Sequence, residues 1–168
     1  MDVEDRLAVL EREQAALRAR QAIWETITRY ARGIDEQRSE DLEAIFTEDT
    51  VFQTLPWSRP LQGKAIVLKA FRNYRNHFQN PRRFITNEQL NVHRETFATG
   101  WANWFVVQGR DGESYYGWGT YDWEFRFEEE VWKISKMIIT VECMTTLERG
   151  WGELEERVVA FPSRPGHS

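Results

Sequence analysis

With 168 residues, 41% hydrophobic and 29% charged, the chain has the size and composition of one soluble globular domain. Its net charge of −5 argues against a nucleic-acid groove, which needs clustered Lys and Arg. No apolar run approaches the roughly 20 residues of a membrane span, and the single cysteine, Cys143, excludes an internal disulfide.

The elements are read in chain order. Val3, Leu7, Leu10 and Leu17 recur at helical spacing among charges, which predicts an amphipathic helix over residues 2–19. Its charged start, MDVEDRLAVLEREQ, is unlike a secretion signal, so a cytoplasmic chain is expected. A main first helix follows, with Ile23, Trp24, Ile27, Tyr30, Ala31 and Ile34 on one face and Gly33 near its end. A short helix from Asp41 to Phe46, capped by Ser39, leads into a strand over EDTVFQTL. Pro56, Pro60 and Gly63 mark a loop, and Lys64 to Phe78 reads as a third helix that ends before Asn80-Pro81.

From Arg82 the period changes to two. Strands are expected at 83–92, 96–108, 114–127 and 131–143, with turns at 93–95, 109–112 and 128–130. Helices followed by a long antiparallel meander define an α+β domain, a strongly curved antiparallel sheet wrapped around three helices. The concave side of such a sheet is where a small-molecule site forms. The division expected is 1–19 for the N-terminal helix, 20–146 for the main domain and 147–168 for a C-terminal extension. The tail FPSRPGHS is expected to be loosely ordered. Eight tryptophans admit two readings, core and interface filler or a pocket lined by flat rings. Three scattered histidines do not make the clustered pattern of a zinc cage, and no metal site is expected.

The succession RYARGID, IFTED, RRFITN, TGWANW and GTYDWEFRFEEEVWKI resembles the SnoaL-like branch of the nuclear transport factor 2-like superfamily, across residues 20–142. The resemblance implies a cone-shaped half-barrel and relatives such as bile acid 7α-dehydratase, scytalone dehydratase and the lindane dehydrochlorinase. Those enzymes eliminate water or HCl without metal or cofactor, so no cofactor is expected. The family's helix carboxylate falls on Asp35, and the bile acid enzyme's tyrosine falls on Tyr30. The family's histidine position falls on Arg83, which cannot act as a general base but can hold an anion. Further charged positions of the bile acid enzyme fall on Val106 and Val141.

The resemblance also sets the strand faces. It turns Ala102, Trp104 and Val106 inward, with Gly119, Tyr121 and Trp123, and Met137, Ile139 and Val141. Phe52, Asn87, Trp104, Tyr121, Trp123 and Met137 are therefore the expected substrate-binding residues, with Tyr30, Asp35 and Arg83 catalytic. Trp101, Phe105 and Trp118 would face outward toward a neighbouring subunit, in a homo-oligomer such as a trimer or dimer. A one-residue slip would exchange the two faces. His77 is either a surface residue or the one histidine near the pocket.

Three functions follow. The first is a cofactor-independent lyase acting on a hydrophobic aromatic or polycyclic molecule, by dehydration or by retro-aldol loss of a fragment such as formaldehyde. A phenolic, diaryl, lignin-derived substrate, which a resemblance to the diarylpropane γ-formaldehyde lyases of this superfamily implies, would explain the missing histidine, because its phenolate can expel a benzylic hydroxyl. The second is an isomerase of the ketosteroid type, and the third is a small-molecule-binding module without turnover.

Overall fold

The computed structural model describes residues 2–152. The chain begins with α1, Val3–Asp35, one helix of 33 residues. The spacing of apolar residues predicts two helices that meet near residue 20. No Gly or Pro occurs between residues 3 and 32, so nothing interrupts the hydrogen-bond ladder. Asp2 starts it in a reciprocal capping box with Asp5. In α2, Ser39–Ile45, Arg38 occupies the cap position without a side-chain cap. Ser39 is instead the first helical residue, and its hydroxyl accepts a hydrogen bond from Arg75.

The next elements are β1 (Phe46–Leu55), β2 (Leu61–Gln62) and α3 (Lys64–His77). The meander comprises β3 (Gln79–Arg94), β4 (Phe97–Arg110), β5 (Glu113–Glu128) and β6 (Val131–Thr146). These strands outrun their expected limits because their hairpin turns are tight. Asp111-Gly112 and Glu129-Glu130 both take positive φ, the backbone of a two-residue hairpin whose twist matches the strands.

All six strands form one sheet in the order β2-β1-β6-β5-β4-β3. It is mixed rather than wholly antiparallel, since β1 and β6 run parallel. The chain leaves β1 through β2 and α3 before building the meander, so its last strand returns beside β1 in the same direction. The sheet is not closed: β2 and β3 are its two edges.

Alternation carries the core. Along β4, Ala98, Ala102, Trp104, Val106 and Gln108 are buried on one face, and along β5 Tyr121, Trp123 and Phe125 join them. From α1, Ile23, Ile27, Tyr30 and Ile34 pack into the same core. Thr26 fastens helix to sheet by donating to the Trp132 carbonyl at 2.7 Å. Among the described residues, no helix is long and apolar enough to cross a membrane.

Candidate active site

A cavity of about 320 Å³ opens between α3, the segment after β1 and the concave face of the sheet. That volume lies at the small end of the range of small-molecule sites, about 300–1,000 Å³. Its wall is mostly apolar and aromatic. Phe52 comes from β1, Phe71 from α3, Trp104 from β4, Tyr121 from β5, and Ile139 and Val141 from β6. Trp57 and Ser58 line it as well.

One charged side chain enters this wall. Among the described residues that line the cavity, Arg83, on edge strand β3, is the lone Lys, Arg, Asp or Glu. Its side chain is 7% exposed, and that of its partner Asp35 is 10% exposed. Asp35 is the last residue of α1, where the helix gives way to the turn before α2. Arg83 donates from Nε to Asp35 Oδ1 at 2.7 Å, and its backbone N–H donates to Oδ2 at 2.8 Å. Both carboxylate oxygens are thus occupied by one residue. Nη1 donates to the Tyr30 hydroxyl at 3.2 Å. The guanidinium carbon lies 5.6 Å from the centroids of both the Tyr30 and Tyr74 rings, whose faces favour a cation. Nη2 is buried and has no hydrogen-bond partner among the described residues.

Phenols extend the polar cluster. The hydroxyls of Tyr30 and Tyr121 lie 3.2 Å apart, and Tyr74 donates to the Gln108 side-chain carbonyl. Burial, and then the neighbouring Tyr121, hold the Tyr30 hydroxyl well above the usual phenol range, against the pull of Arg83. Burial likewise pushes Tyr74 up to about 12. Both phenols therefore stay protonated at neutral pH. Trp104 forms a fixed wall, its indole N–H shared between the carbonyls of Thr120 at 3.2 Å and Thr140 at 3.3 Å.

The expected residues divide as follows. Tyr30, Arg83, Phe52, Trp104 and Tyr121 line the cavity, whereas Asp35 stands behind Arg83. Trp123 and Met137 occupy the inward face but not the cavity. Trp123 stacks on Tyr121 at 4.7 Å on the way to Phe125, deeper in the core. Asn87 is exposed and leaves the concave face altogether. A bulge between Thr86 and Gln89 inserts one extra residue, with Asn87 at φ 58°, so Leu90 rather than Gln89 turns inward opposite Gly100. His77 is exposed, its ring bonded to the Asn73 carbonyl.

Tyr74 and Gln108 were not among the expected residues, although the signals existed. Gln108 continues the inward alternation of Trp104 and Val106, and Tyr74 continues the Val67 and Phe71 face of α3. On the outer face, Phe105 is 39% exposed, and Trp151 packs edge-on against Trp118 and Tyr116. No group of three or more His, Cys, Asp or Glu able to hold a metal ion occurs among the described residues. The tail FPSRPGHS and most of the 147–168 extension lie outside them.

This arrangement, a charged and phenolic cluster inside an aromatic half-barrel, belongs to a recognisable class. The SnoaL-like domain model matches residues 15–138, and the chain is a member of that family. Solved structures agree on the fold. A hexachlorocyclohexane dehydrochlorinase, LinA type 2, superposes with a TM-score of 0.75 at 18% identity, covering 92% of this chain and 99% of that one. A scytalone dehydratase-like protein from Novosphingobium aromaticivorans gives 0.74 at 17% identity, covering 93% and 99%. A third, the Kfla4162 protein from Kribbella flavida, gives 0.72 at 19% identity, covering 77% and 95%. No curated protein matches the sequence.

Proposed function

We propose that this protein is a lyase that eliminates a leaving group from a phenolic aromatic molecule held in the cavity. The observation that supports this is the unpartnered Nη2 of a buried arginine, set in a wall that is mostly apolar and phenolic. A buried donor without a partner is costly, and an anionic oxygen of a ligand would satisfy it. The dehydrochlorinase and dehydratase names of the structural relatives fit an elimination.

The chemistry follows from protonation states. Arg83 remains a cation and holds the substrate phenolate. Electrons from that oxygen pass through the ring and break the benzylic carbon–oxygen bond, giving a quinone methide. The leaving hydroxyl needs a proton, and Tyr30, neutral and at the cavity wall, supplies it, so water departs. Where the side chain carries a neighbouring CH₂OH, the Tyr30 oxyanion takes back the hydroxyl proton. The carbon–carbon bond then breaks, formaldehyde leaves, and its electrons restore the aromatic phenolate. Asp35 acts by fixing Arg83, with both oxygens engaged, rather than by taking a proton from the substrate.

Phenolic 1,2-diarylpropane-1,3-diols are the test substrates, read by formaldehyde release and by absorbance of the conjugated alkene. Tyr30→Phe and Arg83→Lys are each expected to lower turnover about 100-fold or more, as loss of an acid or an oxyanion donor does. A substrate methylated on the phenol should not react. Equal turnover of the methylated compound, or full activity in both variants, would refute the mechanism.

One observation favours a second reading. The Tyr30 and Tyr121 hydroxyl pair could bind the enolate oxygen of an isomerase reaction. That reaction also needs a carboxylate base, and no Asp or Glu is among the described residues that line the cavity.

A further inference from the structure

The first two-thirds of α1 carries a repeat that neither the core nor the cavity uses. Val3, Leu10, Leu17 and Trp24 recur every seven residues, interleaved with Leu7, Gln14 and Gln21. On a helix these two rows form one stripe, the a and d positions of a heptad seam. The stripe lies in water up to Leu17: Val3 is 79% exposed, Leu7 55%, Leu10 60% and Leu17 64%, while Trp24 is 49% exposed and donates its indole N–H to Glu88 of β3. The helix's own body cannot cover it. Ala19, Ile23, Thr26 and Ile27, which face the sheet, lie about 150° around the helix from the seam at 100° per residue.

We infer that this seam pairs with the same seam of a second copy, forming a parallel, in-register, two-stranded coiled coil of about three heptads. Charge selects both the partner and the direction. In a parallel pair, the residue before each a position meets the residue five further along the other helix. Arg6 then meets Glu11 of the second copy, Glu13 meets Arg18, and Arg20 meets Glu25. Every pair is opposite in sign, and the twofold symmetry doubles them.

Antiparallel pairing does worse in both of its registers. Aligning Leu7 with Leu17 of the second copy sets Arg6 against Arg20, and Glu11 and Glu13 against their own counterparts. Shifting by one heptad relieves most of those charges but faces Leu10 on Gln21 and Leu17 on Gln14. The parallel pair keeps leucine on leucine and glutamine on glutamine, and such polar a layers fix register. This inference is independent of the reaction proposed for the cavity.

The full chain tests it by light scattering and crosslinking. Leu10→Glu combined with Leu17→Glu should halve the particle mass, and because both side chains are exposed the fold of the subunit should persist in circular dichroism. Leu10→Cys should form a covalent dimer in a glutathione redox buffer, with the wild-type chain, whose Cys143 is buried, as the uncrosslinked control. Glu13→Arg should weaken association by at least tenfold, and adding Arg18→Glu should restore it. An unchanged mass in the double glutamate variant overturns the inference. So does crosslinking that requires Leu10→Cys together with Gln21→Cys, or a charge swap that fails to restore association.

Discussion

From Ile23 onward α1 buries Ile23, Ile27, Tyr30 and Ile34 to 4% exposure or less, whereas from Val3 to Leu17 the same helix leaves its large apolar side chains in water. Both stretches are amphipathic with a helical period. The period alone therefore does not say what an apolar face is for. The phase of that face does: the buried stretch presents positions that point at the sheet, and the exposed stretch presents the opposite side. Stability is divided in the same way. The inner stretch is held by packing and by the Thr26 bond to β6, while the outer one has its cap at Asp2.

This contrast can be broken by experiment. Ile34→Ala should cost about 2–5 kcal/mol in urea unfolding, as truncation of a fully buried side chain does. Thr26→Val should cost about 1–3 kcal/mol, because it leaves the Trp132 carbonyl without its donor. Leu17→Ala should change the stability of the isolated subunit by less than about 0.5 kcal/mol. A Leu17 effect as large as that of Ile34 would mean that the outer stretch packs on its own body. Alkali should probe the inner end of α1 rather than the outer one. The folded protein keeps the Tyr30 and Tyr74 protons that the unfolded chain gives up above about pH 10, so stability falls as pH rises toward 12. Tyr74→Phe should make that fall shallower in melting temperature measured between pH 9 and 12.

Much of the fold could be read from periodicity. Element order follows from periodicity, and alternation sorts the residues of β4 and β5 into two faces, but the family resemblance is what turns Trp104 and Tyr121 inward. Alternation fixes a face but not a depth. Trp123 and Met137 accordingly share the cavity's face while lying in the core below it. Nor does composition mark a bulge. The extra residue near Asn87 reverses the parity of the rest of β3, and nothing in RRFITNEQLNV announces it. Direction was also hidden, since the parallel pairing of β1 with β6 is settled by the path through α3 rather than by either strand. At the site, Tyr30, Asp35 and Arg83 come together as a cluster, but the division of labour among them rests on which atoms are already bonded. Asp35 spends one oxygen on the Arg83 side chain and the other on its backbone.

That backbone bond reaches beyond the present chemistry. It joins the end of α1 to edge strand β3 through an N–H that every residue but proline possesses. The carboxylate can therefore keep its hold on the strand while the side chain at position 83 changes identity. Substitution at position 83 would thus alter the charge presented to the cavity and leave the joint between α1 and β3 in place.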